Sequence, residues 1–168
     1  MWERRNRILP QRLQDAKDIT LQPQKFFIEQ KTMQEKTVKN IIPLSQREEE
    51  IGKLIVNAAY MVHSRLGPDL LEKIYEACLA YELRKAGLKV QRQIDIPIKY
   101  DNMIFEEGLR LDLPVEDTVI CEIKAVEQSN LVWEAQILSH LRLTGRRLGY
   151  LINFNVSLIK NGIKRFVV

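Results

Sequence analysis

The run Val119-Ile120-Cys121-Glu122-Ile123-Lys124-Ala125-Val126 limits the fold more than any other feature of the chain, because it is apolar at odd and even positions alike yet carries an acid and an amine. Its length and β-branched content mark a strand, and its lack of alternation marks one covered on both faces, inside a sheet with helices on each side. Charges in such a strand need partners or a purpose. Side chains alternate along a strand, so Glu122 and Lys124 project from the same face. A tight turn at Glu116-Asp117 folds the segment Leu109 to Val115 back alongside and brings Asp112 opposite or next to Glu122. Two carboxylates and an amine then share one patch. Such carboxylates are oxygen ligands suited to Mg²⁺, and a lysine beside them can help deprotonate a metal-bound water or offset phosphoryl charge. An isolated E-x-K is more often a surface ion pair; the apolar neighbours on both faces are what favour a site here.

The elements around this strand follow from local signals. Ser45-Gln46-Arg47-Glu48 has the form of a capping box and starts a helix. Ile51, Leu54, Ile55, Ala58, Ala59, Val62 and Leu66 give it one apolar face, and Gly67-Pro68 ends it. Asp69 is read as the cap of a second helix running to Ala86, with Leu70, Ile74, Ala77, Tyr81 and Leu83 available to the core. Next come β-rich runs at Val90 to Ile98, Met103 to Phe105, Leu109 to Val115 and Thr118 to Val126, broken by Asp101-Asn102, Glu107-Gly108 and Glu116-Asp117, which predict an antiparallel meander. Ser129 or Asn130 caps a further helix through Leu143, ending at Thr144-Gly145. Strands at Leu148 to Phe154 and Ile163 to Val168 follow, with Asn161-Gly162 between them. With the meander entered as β-β-β, the order is α-α-β-β-β-α-β-β, an α/β class with a mixed central sheet flanked by helices.

Charge divides the 168 residues unevenly. Residues 1–45 carry nine basic and five acidic side chains and no glycine, whereas residues 46–168 carry 17 of each and sum to zero. The first segment is read as a basic N-terminal extension, a solvated tail or an arm that touches phosphates through Arg4, Arg5, Arg7 and Arg12; the second, residues 46–168, is one domain. No uncharged stretch reaches the roughly 20 apolar residues of a membrane span, and no apolar run follows the charged start as in a secretory signal. Cys78 and Cys121, the two cysteines, are too few for a four-thiolate metal site and are read as reduced. The expectation is a cytoplasmic protein without membrane contact.

Asp112 followed ten residues later by Glu122-Ile123-Lys124, with helices before and after, resembles the PD-(D/E)XK nuclease superfamily. Val62-His63-Ser64-Arg65-Leu66-Gly67-Pro68, Leu70-Leu71-Glu72-Lys73-Ile74-Tyr75, Tyr81-Glu82-Leu83, Glu134-Ala135-Gln136, Leu143-Thr144-Gly145 and Leu151-Ile152-Asn153-Phe154-Asn155-Val156 resemble the bacterial and archaeal GxxExxY proteins, a RecB-like branch of that superfamily. The likeness spans about residues 48–168.

The resemblance implies a restriction-endonuclease-like core and a nuclease that uses Mg²⁺ or Mn²⁺ on nucleic acid, DNA above all, in repair or defence. It implies that Asp112 and Glu122 are metal-binding carboxylates, that the Ile123 carbonyl is a further ligand and that Lys124 is the catalytic lysine. Glu72 falls on the acidic residue of the first core helix, which orients the site or approaches the metal through water. Gln136 falls on a glutamine near the lysine or the substrate phosphate. Compact nucleases often pair, so a homodimer is open. The other reading is a catalytically inactive module of the same fold that binds nucleic acid or a protein. Two positions depart from the family pattern: Asp69 stands where it has glycine, and His140 where its Q-x-x-x-Y has tyrosine. From residues alone, Glu72 reads as the third residue of a capping box begun by Asp69, His63 as a packed or capping histidine, Gln136 as a residue at the edge of the buried face, and Tyr75 and Tyr81 as core or helix contacts.

Overall fold

A computed structural model of the chain describes residues 43–128 and 130–168, which lie in one compact unit, Ile42–Val168. The basic extension, up to residue 42, lies outside the described residues. Helix α1, Gln46–Leu66, begins as its sequence predicts: the Ser45 side chain accepts from the Glu48 amide while the Glu48 carboxylate takes the Ser45 amide at 2.6 Å. Ile51, Ile55, Ala58, Ala59 and Val62 are buried along one face. Gly67, at φ +68° and ψ −170°, takes a backbone conformation suited to glycine, and the helix stops there.

Helix α2, Glu72–Lys85, corrects the expected second helix in two respects. Asp69 does not cap it. That residue has φ +73° and its amide donates to Asn155 Oδ1 at 3.1 Å, so the helix starts at Glu72 with no side-chain cap. Its buried face is Tyr75, Leu79, Ala80 and Leu83, whereas Leu70, Ile74 and Tyr81 are exposed. Tyr75 explains the choice of face. Its ring stacks on Phe154 with centroids 4.6 Å apart, and its hydroxyl donates to Gly67 O and accepts from the Leu70 amide. One side chain thereby fixes the loop between α1 and α2. Tyr75→Phe keeps the stack but strands two backbone groups, so denaturant unfolding should show a loss of about 1–3 kcal/mol; an unchanged midpoint would mean that water replaces both bonds.

Between α2 and the next helix the chain forms four strands, as many as the β-rich runs and one more than the order β-β-β counts, and they do not make a single meander. Strands β1, Ile94–Tyr100, and β2, Met103–Leu111, pair with each other as a separate two-stranded ribbon closed by Asp101-Asn102. Glu107-Gly108 lies inside β2 rather than in a turn. The register shifts opposite it, between Ile96 and Ile98, and a side chain at Gly108 would collide with Ile98; the glycine marks a bulge, not a chain reversal.

The main sheet has the order β3-β4-β5-β6. Strand β3, Leu113–Val115, runs antiparallel to β4, Val119–Lys124, across the turn at Glu116 and Asp117, both at φ +52°. Strand β5, Leu148–Asn153, is parallel to β4, and β6, Ile163–Val167, is antiparallel to β5 after a short 3₁₀ turn at Ile159–Asn161. The parallel step needs a crossover, which is helix α3, Leu131–Thr144, capped by Asn130 and ended by left-handed Gly145. The sheet is therefore mixed and covered on both sides. Val119, Cys121 and Ile123 pack with α1 and α2 in one layer, while Ile120 and Leu151 pack with Ile137 and Leu141 of α3 in the other. No helix among the described residues is long and apolar enough to cross a membrane.

Candidate metal and phosphoryl-transfer site

Because odd residues of β4 serve the first layer, its even residues Glu122 and Lys124 emerge on the α3 side, and the register Leu113↔Cys121 sets Asp112 beside Glu122. Asp112 is held there by its own backbone neighbours: Oδ2 accepts from the Ile123 amide at 2.9 Å. Lys124 Nζ donates to the Ile123 carbonyl at 2.9 Å and lies 3.9 Å from both Asp112 Oδ2 and Glu122 Oε2. The expected convergence of acid, acid and amine is thus present, and the ammonium sits among three oxygens: two carboxylates and a carbonyl.

Glu122 is almost fully buried, at 1% exposure. Its Oε1 accepts from His140 Nδ1 at 2.7 Å, whereas Oε2 is buried without a hydrogen-bond partner. Burial pushes the Glu122 carboxyl above the ordinary glutamate value; the His140 hydrogen bond opposes this, and the Asp112 charge adds to it. An orphaned carboxylate oxygen in such a place is costly unless a cation approaches it. His140 is the residue whose role the sequence leaves unread. The departure from tyrosine at that position places an imidazole against the acid of β4. Burial also pushes the Cys121 thiol up, with the Glu122 charge adding to it, so this cysteine is an inert core group.

A further carboxylate, Glu76, backs Asp112 from α2. Gln93, at φ +52°, donates through Nε2 to Glu76 Oε2 at 2.5 Å and lies 3.4 Å from Asp112 Oδ1; Arg92 Nε donates to the other Glu76 oxygen at 2.7 Å. Glu76 is buried, and its link through Gln93 orients Asp112. The sequence signal for it is spacing alone, four residues after Glu72 and hence on the same helix face. Glu72 itself is the first residue of α2, not the third of a capping box. Although it is at the surface, burial of its carboxyl raises its pKa; the Lys124 charge works against this and Asp112 and Glu76 add to it, so it shares their field.

Gln136 is half-buried on α3, one turn before His140. A helical turn rises about 5.4 Å and two strand residues about 6.6 Å. With α3 running back along β4 and His140 level with Glu122, Gln136 comes level with Lys124; it makes no hydrogen bond within the described residues. His63 donates to Val156 O at 2.7 Å, in keeping with a packed histidine. Arg146 is tied to Asp117, donating to its carbonyl at 2.9 Å.

Among the described residues no group of three or more His, Cys, Asp or Glu side chains is arranged to hold a metal. Asp112, Glu122 and the Ile123 carbonyl nevertheless form a hard oxygen set with the carboxylate count that Mg²⁺ ordinarily takes, the rest of its shell being water and phosphate. The unpartnered Glu122 Oε2 and the cation already present as Nζ are the features that fit such an ion.

Residues 49–166 match the family model described as the PD-(D/E)XK nuclease superfamily. No curated protein and no solved structure matches the chain.

Proposed function

The chain belongs to the PD-(D/E)XK nuclease superfamily, and from that premise we propose that its domain, residues 46–168, hydrolyses phosphodiester bonds in nucleic acid with Mg²⁺ or Mn²⁺. The observation that carries this reading is the position of Lys124 Nζ, 3.9 Å from Asp112 and from Glu122 and 2.9 Å from the Ile123 carbonyl, a place built for positive charge. Those three oxygens would hold the ion. When bound, a divalent ion there supplies a water of lowered pKa and neutralises charge on the scissile phosphate.

The protein's own groups do the rest. Lys124 is displaced towards the substrate side, where its ammonium donates to a phosphate oxygen or its amine takes the proton of the attacking water. His140 keeps the Glu122 carboxylate turned so that Oε2 faces the ion, and the Glu76–Gln93 link does the same for Asp112. Glu72 completes the acidic rim through water, and Gln136 orients Lys124 or the phosphate. The motif set resembles that of the GxxExxY proteins, a RecB-like branch, and this likeness supports DNA as the substrate, in repair or defence.

The test is a panel of end-labelled single- and double-stranded DNA and RNA incubated with purified protein in Mg²⁺, Mn²⁺ or chelator. Cleavage that requires the metal supports the reading. Absence of cleavage on every substrate, together with no heat of Mn²⁺ binding by calorimetry, would overturn it in favour of an inactive binding module.

A further inference from the structure

Two cavities deserve comparison. One of about 420 Å³, bounded by Glu49, Lys53, Tyr150 and Arg165, shares no residue with the site, and its arginine is already paired with Glu49 at 2.6 Å. The other, of about 160 Å³, shares Lys124 with it and is walled by Trp133, Asn130, Glu134, Asn161 and Lys164. This second cavity lies beyond the carboxyl ends of the parallel strands β4 and β5, at Lys124 and Asn153, which is where open α/β sheets take their ligands. Its rim is pre-formed: Asn153 Nδ2 donates to Val126 O at 2.8 Å, and Asn153 Oδ1 accepts from the Val126 and Asn155 amides.

Size and lining define the occupant. The volume is about half the ~300 Å³ lower bound for drug-sized ligands, which suits one planar ring system rather than a whole nucleotide. Trp133 is half-buried, packing on the Ile137 and Leu141 layer while also lining the cavity, and the stacked aromatic pair among the described residues, Tyr75 with Phe154, does not involve it. Amide and carboxylate side chains around it can satisfy the mixed donor and acceptor edge of a heterocycle. Lys124 and Lys164 stand at the same opening, although Lys164 is held by Glu134 at 2.6 Å.

Charge points the same way. Residues 46–168 carry no net charge, so this domain brings no basic surplus to the phosphate neutralisation on which duplex binding draws. Stacking, by contrast, works without it and requires a base that is out of the helix. Building on the nuclease reading, we propose that this cavity receives one unpaired nucleobase of the substrate, stacked on Trp133, immediately beside the phosphate at Lys124. The enzyme's substrate is then a single strand, or a flap or overhang with unpaired bases, rather than continuous or blunt-ended duplex.

Trp2 and Trp133 are the two tryptophans, so Trp2→Phe leaves Trp133 as the only indole reporter. In Ca²⁺, a short single-stranded oligodeoxynucleotide should quench Trp133 emission on binding, and a blunt duplex of the same sequence should not. Trp133→Ala should weaken single-strand binding, read independently by anisotropy of a labelled strand, about 5- to 150-fold, and Trp133→Phe should restore most of it. Binding by anisotropy with no change in Trp133 emission, or equal affinity of Trp133→Ala for the single strand, overturns the base pocket and leaves the nuclease reading standing. A protein that neither binds nor cuts any nucleic acid overturns both.

Discussion

Lys124→Ala should lower metal-dependent cleavage by about 10²- to 10⁴-fold, the usual contribution of a positioned proton-transfer group, while Mn²⁺ binding stays as tight as in the wild type or becomes tighter. The second half of this expectation separates the site proposed here from a merely structural lysine. Nζ occupies the space among Asp112 Oδ2, Glu122 Oε2 and the Ile123 carbonyl, so the ammonium and a divalent ion compete for the same oxygens. Removing it relieves that competition and leaves two carboxylates facing each other without a counter-charge, which a cation then answers. Asp112→Ala should do the reverse, abolishing both cleavage and Mn²⁺ binding, because it deletes a ligand. The pair of variants is read by calorimetry and by cleavage of one labelled substrate. Normal cleavage by Lys124→Ala would remove the lysine from the chemistry; loss of Mn²⁺ binding in it would mean that Nζ supports the ligand geometry rather than competing with it. Both variants should fold, since Lys124 and Asp112 lie at the ends of their strands with 14% and 16% of their side chains exposed, outside both apolar layers.

The parts of this site that local pattern encodes are the parts that could be read from the chain. A capping box, a period of three and four, and an asparagine cap are contained within a few residues, so α1 and α3 have their expected limits. The unbroken apolar run of β4 likewise announces a covered strand and with it the shared face of Glu122 and Lys124. What could not be read depends on partners far along the chain. Asp69 has the chemistry of a helix cap, but its amide is claimed by Asn155 and its φ is left-handed, which leaves Glu72 to start the helix and turns Tyr75 inward in place of Ile74 and Tyr81. Gly108 looks like punctuation until the crowding of Ile98 shows that a bulge needs it. His140 gives no local sign of its role at all. Its position on the helix is fixed by the crossover from β4 to β5, and only that topology brings the imidazole to an acid 18 residues earlier.

The same contact makes Glu122→Gln the variant with the most divided outcome: cleavage should be lost to background, yet the metal-free protein should be no less stable than wild type near pH 7, and more stable by about 1 kcal/mol, or roughly 2–4 °C in melting temperature. Burial is the largest influence on this carboxyl and raises its pKa above the unfolded value, so ionisation of Glu122 disfavours the folded state. A raised carboxyl favours the fold fully below the ordinary glutamate value, and that advantage is lost as pH rises through the folded-state value. The amide keeps an oxygen for His140 Nδ1 and removes the charge that lies buried with Oε2 unpartnered. Hence the stability difference between wild type and Glu122→Gln should shrink as pH falls from the raised folded-state value towards the ordinary carboxylate value, below which both side chains are neutral in the folded and the unfolded chain. Saturating Mg²⁺ should raise the wild-type melting temperature by mass action and leave that of Glu122→Gln nearly unmoved. A Glu122→Gln protein that melts several degrees lower at neutral pH would show instead that the charged His140–Glu122 pair holds α3 to the sheet. Retention of the Mg²⁺-induced rise in that variant would take Glu122 out of the ligand set. If both expectations hold, the acid that weakens the empty fold is kept there by what it binds, which is the relation between stability and function that a metal-dependent site built on a central strand requires.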